Sequence, residues 1–197
     1  FQVLIKRPEG VLGAAALGLL IGENEEIGGG GGELGLFRKP GPALAHMLRA
    51  SLSADVVQTR CLPDEHDQLA ACFLDWSSPA HRIDLIVSTG GTGLAPRDVT
   101  PEAARSVIER EHPGLMELAR LRCMARTPRT FLSRGVAGTI GRTLILTLPG
   151  SLKGSTENLE ALLDILPHAI ETLRGEVQDD GRPDATPEGG KVIRHDT

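Results

Sequence analysis

The apolar positions of this chain change period several times between residues 40 and 175, and each change marks an element. A helical period opens near Ala43, and a run rich in β-branched residues, Val56 to Cys61, follows at strand length. From Glu65 to Trp76 the residues Leu69, Cys72, Phe73 and Trp76 recur at helical spacing, which assigns them to a core rather than to a cofactor box. The run Ile83 to Val87 is apolar without alternation, as in a buried parallel strand. Two further helical patterns, 101–111 and 114–123, are separated by Pro113. Gly135 to Ile140 and Thr143 to Leu148 read as strands joined at Gly141 and Arg142, an antiparallel hairpin or its equivalent. One long amphipathic helix is expected from Ser155 to Leu173, with Leu159, Leu162, Leu163, Leu166 and Ile170 on its buried side and a kink at Pro167. Such alternation implies a three-layer α/β/α domain with a mostly parallel sheet.

The two ends break the pattern. VLGAAALGLLIG, residues 11–22, shows neither strand alternation nor a polar helical face, and five glycines follow from Gly28 to Gly32. Residues 1–36 are therefore expected to pack poorly, with the glycines as a linker or mobile loop. Residues 176–197, rich in Asp, Gly and Pro, are expected to be a disordered tail. That leaves one domain, 37–175, which a chain of 197 residues can bury adequately.

Composition narrows the function classes. With 40% hydrophobic but only 3% aromatic residues, the core must rest on Leu, Ile, Val and Ala. A net charge of −5 argues against a nucleic-acid partner. The basic run Arg120, Arg122, Arg126, Arg129, Arg134 and Arg142 reads mostly as solvated surface, with Arg134 the exception to watch. Cys61, Cys72 and Cys123 are odd in number and lack zinc spacing, which fits reduced thiols in the cytoplasm. The apolar stretch Val11 to Gly22 imitates a signal peptide but leads into acidic GENEE without a cleavage site, and it is too short to span a bilayer. No membrane partner is expected. The six histidines are scattered without ligand spacing.

Candidate chemistry concentrates at three strand ends. STGGTGLAPRDVTPEA, residues 88–103, follows the strand at Ile83. Gly90, Gly91 and Gly93 leave backbone amides uncovered for an anion, and Thr89 and Thr92 add hydroxyls. Arg97 and Asp98 set a phosphate-pairing cation beside a carboxylate, and Thr100 can cap a helix opened by Pro101. LPDE, residues 62–65, carries Asp64, which on sequence alone reads first as a cap of the following helix. LPGSLKGS, residues 148–155, offers Pro149, Gly150, Ser151 and Lys153 as a second anion cradle, or as an ordinary strand-to-helix turn.

Taken whole, GGTG followed by PRDVTPEA resembles the molybdenum-cofactor family that includes bacterial molybdopterin adenylyltransferases, their plant equivalents and the N-terminal domain of gephyrin. The resemblance extends through IERE at 108–111, PGL at 113–115, TP at 127–128, LSR at 132–134 and LPGSLKGS, covering most of residues 41–175. It implies AMP transfer from Mg-ATP to molybdopterin, with Asp64 and Asp98 acting catalytically and flanking one Mg²⁺. It further implies that Ser133 and Arg134 contact the pterin side, that the protein is a homotrimer, and that a molybdenum insertase receives the product. A sister branch of molybdenum-cofactor proteins and a non-catalytic pterin-binding scaffold share the fold. This chain departs from the pattern at FRKPGP, where Arg38 and Pro40 stand at Asp and Ser positions, and at Cys123 and Thr147.

Overall fold

A computed structural model describes residues 16–22 and 40–176. The expectations for residues 1–15, for the glycine run and Arg38 within 23–39, and for the tail from 177 lie outside the described residues. Strands β1 (Ala16–Gly22), β2 (Asp55–Leu62), β3 (Leu85–Thr89), β4 (Arg110–Glu111), β5 (Ala137–Ile140) and β6 (Thr143–Leu148) form one sheet. Its order is β2-β1-β3-β6-β5-β4. The β2-β1-β3-β6 portion is parallel, and β5 pairs antiparallel with both β6 and β4. Helices α1 (Pro40–Leu52), α2 (His66–Trp76), α3 (Thr100–Arg105), α4 (Pro113–Met124), α5 (Leu152–Glu160) and α6 (Leu166–Arg174) connect and cover it.

Period-two burial with no exposed face creates the three layers. Leu85, Val87, Leu144, Leu146 and Leu148 face one cluster with Leu44 and Leu48 of α1, Met116 of α4, Leu159 of α5 and Leu166 of α6. Ile86 and Ile145, one residue out of step, face Phe73 and Trp76 of α2 and Ala103 and Ala104 of α3. Both clusters exclude water, which is why β3 and β6 are buried along their whole length, with polar residues confined to Ser88 and Thr89 in β3 and to Thr143 and Thr147 in β6.

Three expectations need correction. Residues 16–22, expected to pack poorly, form β1 in the interior of the sheet, from Ala16 opposite Asp55 to Gly22 opposite Leu62, with β3 on the other side. An interior parallel strand needs no alternation, because neighbouring strands satisfy its backbone and both faces are covered. The helix expected over 101–111 ends at Arg105. Beyond it, Glu109 and His112 donate their amides to Thr139 and Ala137 at 2.9 and 2.8 Å, so sheet pairing captures the backbone that a helix would have used. The single helix 155–173 is two helices, α5 and α6, with Pro167 in the first turn of α6, where its missing N–H costs no helical hydrogen bond.

The register positions the site. Leu62 lies opposite Gly22, Ile21 opposite Thr89, and Thr89 opposite Leu148, so the loops after β2, β3 and β6 leave from one edge of the sheet. Ligands of open α/β sheets bind at such carboxyl ends. Among the described residues, no helix is long and apolar enough to cross a membrane.

Candidate functional site

The glycine-rich loop after β3 is shaped by its own backbone. Gly90 and Gly91 have φ of 104° and 60°, a left-handed region that penalises any Cβ. A Cβ on Gly91 would collide with the Thr100 hydroxyl and lie 3.1 Å from Asp64 Oδ1. The Gly91 carbonyl accepts the Thr100 amide at 3.2 Å, drawing the loop onto α3. Thr100 is therefore a packing partner rather than the expected cap; Val99 occupies the cap position, and no side chain bonds there. Asp64 does not cap α2 either, since Glu65 holds that position, its carboxylate accepting from the Gln68 side chain rather than from a helix amide.

Freed from capping, Asp64 belongs to a charged group on this face of the loop. Burial pushes its carboxyl above the usual range, the Asp98 carboxylate adds to that rise, and Arg97 opposes it. Asp98 Oδ2 accepts the Ala95 amide at 3.0 Å and would stand 2.7 Å from a Cβ on Gly93. Asp64, from the loop after β2, thus lies within electrostatic reach of Arg97 and Asp98, from the loop after β3. Among the described residues, no cluster of three or more His, Cys, Asp or Glu forms a metal cage. An oxygen-only pair fits Mg²⁺, which keeps several waters and takes further ligands from substrate phosphates.

The other face of the loop opens into a cleft of about 460 Å³. Thr92 and Gly93 form one wall, Ser133 and Leu132 another, and Pro149, Gly150, Ser151, Lys153 and Gly154 a third. The two glycine loops touch backbone to backbone, since a Cβ on Gly150 would lie 3.0 Å from Gly90 Cα. Gly90 donates its amide to Leu148 O at 3.2 Å, and Thr89 donates its hydroxyl to Pro149 O at 2.7 Å. Thr89 is buried and thereby joins the loops, a structural role in place of the ligand contact expected of it. Ser151 caps α5, accepting the Gly154 amide at 3.1 Å. Its helix N-terminus and Lys153 give this wall a positive character suited to phosphate.

Ser133 and Arg134 divide their roles. Ser133 lines the cleft and donates its hydroxyl to Thr92 Oγ1 at 3.3 Å. Arg134 turns away and donates to Gly93 O at 2.7 Å, to Asp98 O and to the Glu102 carboxylate. Arg97 is exposed on the carboxylate face. Sequence reasoning missed Thr127, Arg129, Thr130, Glu157 and Asn158, all of which line the cleft. Arg129 is masked in the sequence by the basic run around it. Asn158 left a signal, a polar residue beside Leu159 on the buried side of a helix; its carboxamide donates to Gly154 O at 2.8 Å.

Comparison with known proteins bears on this arrangement. The family described as a probable molybdopterin binding domain matches residues 39–168. The chain is 35% identical over 157 residues to the molybdopterin adenylyltransferase of Escherichia coli K12, covering 72% of this chain and 79% of that protein. It is 38% identical over 137 residues to the molybdenum cofactor synthesis protein cinnamon of Drosophila melanogaster, covering 70% of this chain but spanning only 23% of that protein's length. Among solved structures, the molybdopterin biosynthesis enzyme MoaB of Thermus thermophilus superposes with a TM-score of 0.70 at 42% identity, covering 82% of this chain and 97% of that one.

Proposed function

The chain belongs to the molybdopterin-binding domain family of molybdenum cofactor biosynthesis, and from that premise we propose that it transfers AMP from ATP to molybdopterin. The observation that carries this reading is the two-faced glycine loop, with an acidic pair on one side and a phosphate-compatible cleft on the other. In the reaction, a phosphate oxygen of molybdopterin attacks the α-phosphorus of ATP, the bond to the bridging oxygen breaks, and pyrophosphate leaves. Aligning two anions is the main task, so positioning and charge neutralisation dominate. Lys153, Arg129 and the amides at the start of α5 would hold phosphate in the cleft, and Ser133 and Thr92 would orient the pterin portion. Asp64 and Asp98 would hold Mg²⁺, which supplies charge neutralisation at the phosphates when bound. Asp64's elevated proton affinity supports the assignment, because a nearby cation relieves the burial and like-charge repulsion that raise it.

The reading includes a cytoplasmic homotrimer that hands its product to a molybdenum insertase. Its test is formation of adenylylated molybdopterin and pyrophosphate from purified chain, molybdopterin and Mg-ATP. A second reading, pterin binding without turnover, is favoured by one feature: Pro40, at the family's Ser position, opens α1 and offers neither a hydroxyl nor an N–H. Tight molybdopterin binding with no adenylylated product would select it.

A further inference from the structure

Arg134 shows a geometry that a ligand-binding cation does not need. Its backbone amide donates to Thr92 O at 2.8 Å, and its Nε donates to Gly93 O at 2.7 Å. One terminal nitrogen reaches Asp98 O and the other the Glu102 carboxylate. One residue therefore fastens the glycine loop at 92, 93 and 98 and ties it to the first turn of α3. The loop has little else to hold it there. Leu94 is 68% exposed, and Ala95, Pro96 and Arg97 are also exposed, so apolar burial contributes almost nothing between its two ends. Within it, the Asp98 carboxylate accepts the Ala95 amide at 3.0 Å, and Ala95 O accepts the Asp98 amide at 2.9 Å, closing a small ring.

Arg134 is itself held from behind. Arg120 of α4 donates to Ser133 O at 3.1 and 3.2 Å and to Gly135 O at 2.9 Å, bracketing the residue on both sides. We propose that Arg134 is a positioning residue that sets Asp98 beside Asp64 through the glycine loop, and that it makes no contact with ligand phosphate. The inference rests on the adenylyl-transfer reading for its kinetic consequence, and on the hydrogen bonds alone for its structural one. A guanidinium presents parallel donors along one edge and a third at its tip, whereas a lysine ammonium cannot reproduce that fork. Binding a phosphate would also require Arg134 to give up Glu102, which already neutralises it.

The experiment compares Arg134→Lys, Arg134→Met and Glu102→Gln with the unaltered chain by amide hydrogen exchange, and then by kinetics with molybdopterin and Mg-ATP. Exchange at Ala95, Asp98 and Thr100 is expected to accelerate by roughly tenfold or more in both Arg134 variants and by a smaller factor in Glu102→Gln, with β3 and β6 unchanged. The kcat should fall by about thirtyfold or more while KM for molybdopterin stays within about threefold, and lysine should not rescue it. Unchanged loop exchange in Arg134→Lys and Glu102→Gln would overturn the proposal. So would a large rise in KM with kcat retained, the signature of a lost phosphate contact. If Arg134→Met does not fold, the other two variants decide. If the unaltered chain forms no adenylylated product, adenylyl transfer fails as a reading while the exchange comparison still decides the role of Arg134.

Discussion

The two glycine loops of the site follow neighbouring strands and touch each other, yet they are held by different means. The loop after β6 is locally determined: Ser151 accepts the amide of Gly154 three residues on, and the helix then propagates. The loop after β3 is held from a distance, by Thr89 to Pro149, by Arg134 from beyond α4 in the chain, and by Thr100 against Gly91. A local cap can be lost at the cost of one turn. A loop with two left-handed glycines and an exposed tip has few alternative supports, so single changes at its anchors propagate to the carboxylates it carries.

The most damaging way to break that contrast is Gly91→Ala. The left-handed angle and the clash with Thr100 should together cost about 2–3 kcal/mol of stability and more than about 100-fold in adenylyl transfer. Urea denaturation beside the product assay measures both, and a folded, active alanine variant would reduce the loop to an ordinary turn.

Asp64→Asn separates chemistry from architecture. Turnover should fall by about 100-fold or more with molybdopterin affinity kept. Stability should move the other way. Because the folded carboxyl has a raised pKa, its contribution is fully present below the unfolded value of 3.8 and is lost as pH rises through the folded one. The asparagine variant, which escapes that loss, should therefore gain on the unaltered chain between acid and neutral pH. Melting temperatures at about pH 3 and about pH 7 test this, and an equal difference at both would remove the burial and Asp98 effects from the account.

Thr89→Val removes the strap between the loops and leaves Pro149 O without its donor in a half-buried setting, a loss of about 1–2 kcal/mol. Cleft affinity and turnover should both weaken, since the two walls share that bond. Ser151→Ala is the mildest. It should cost about 1 kcal/mol, confined to the first turn of α5, and exchange at Gly154 should quicken while the Ala95 amide keeps its protection. Faster exchange at Ala95 would show that the second loop supports the first.

Much of this is legible in the sequence where a single local rule decides the outcome. The apolar runs 85–87 in β3 and 144–146 in β6 require burial on both faces, and Leu69, Cys72, Phe73 and Trp76 require one helix face. Asp64 and Asp98 stand out through motif resemblance, and strand register brings the loops that carry them to the same end of the sheet. The places where reading fails share a cause. Residues 16–22 carry no alternation to distinguish an interior strand, and the segment from Glu109 to His112 leaves the helical path because β5 carbonyls take the amides of those two residues.

The sequence by itself determined the layered α/β architecture, the glycines that the loop's backbone angles demand, and the residue types that can bind phosphate and a divalent cation, because these depend on side-chain period and local sterics. Tertiary structure alone decided that Thr89 faces a carbonyl instead of a ligand, that Thr100 packs where a cap was expected, and that the guanidinium of Arg134 points at Gly93, Asp98 and Glu102. Those outcomes depend on which backbone groups, many of them distant in the chain, are still without partners once the sheet has formed. No pattern along the chain encodes that geometry.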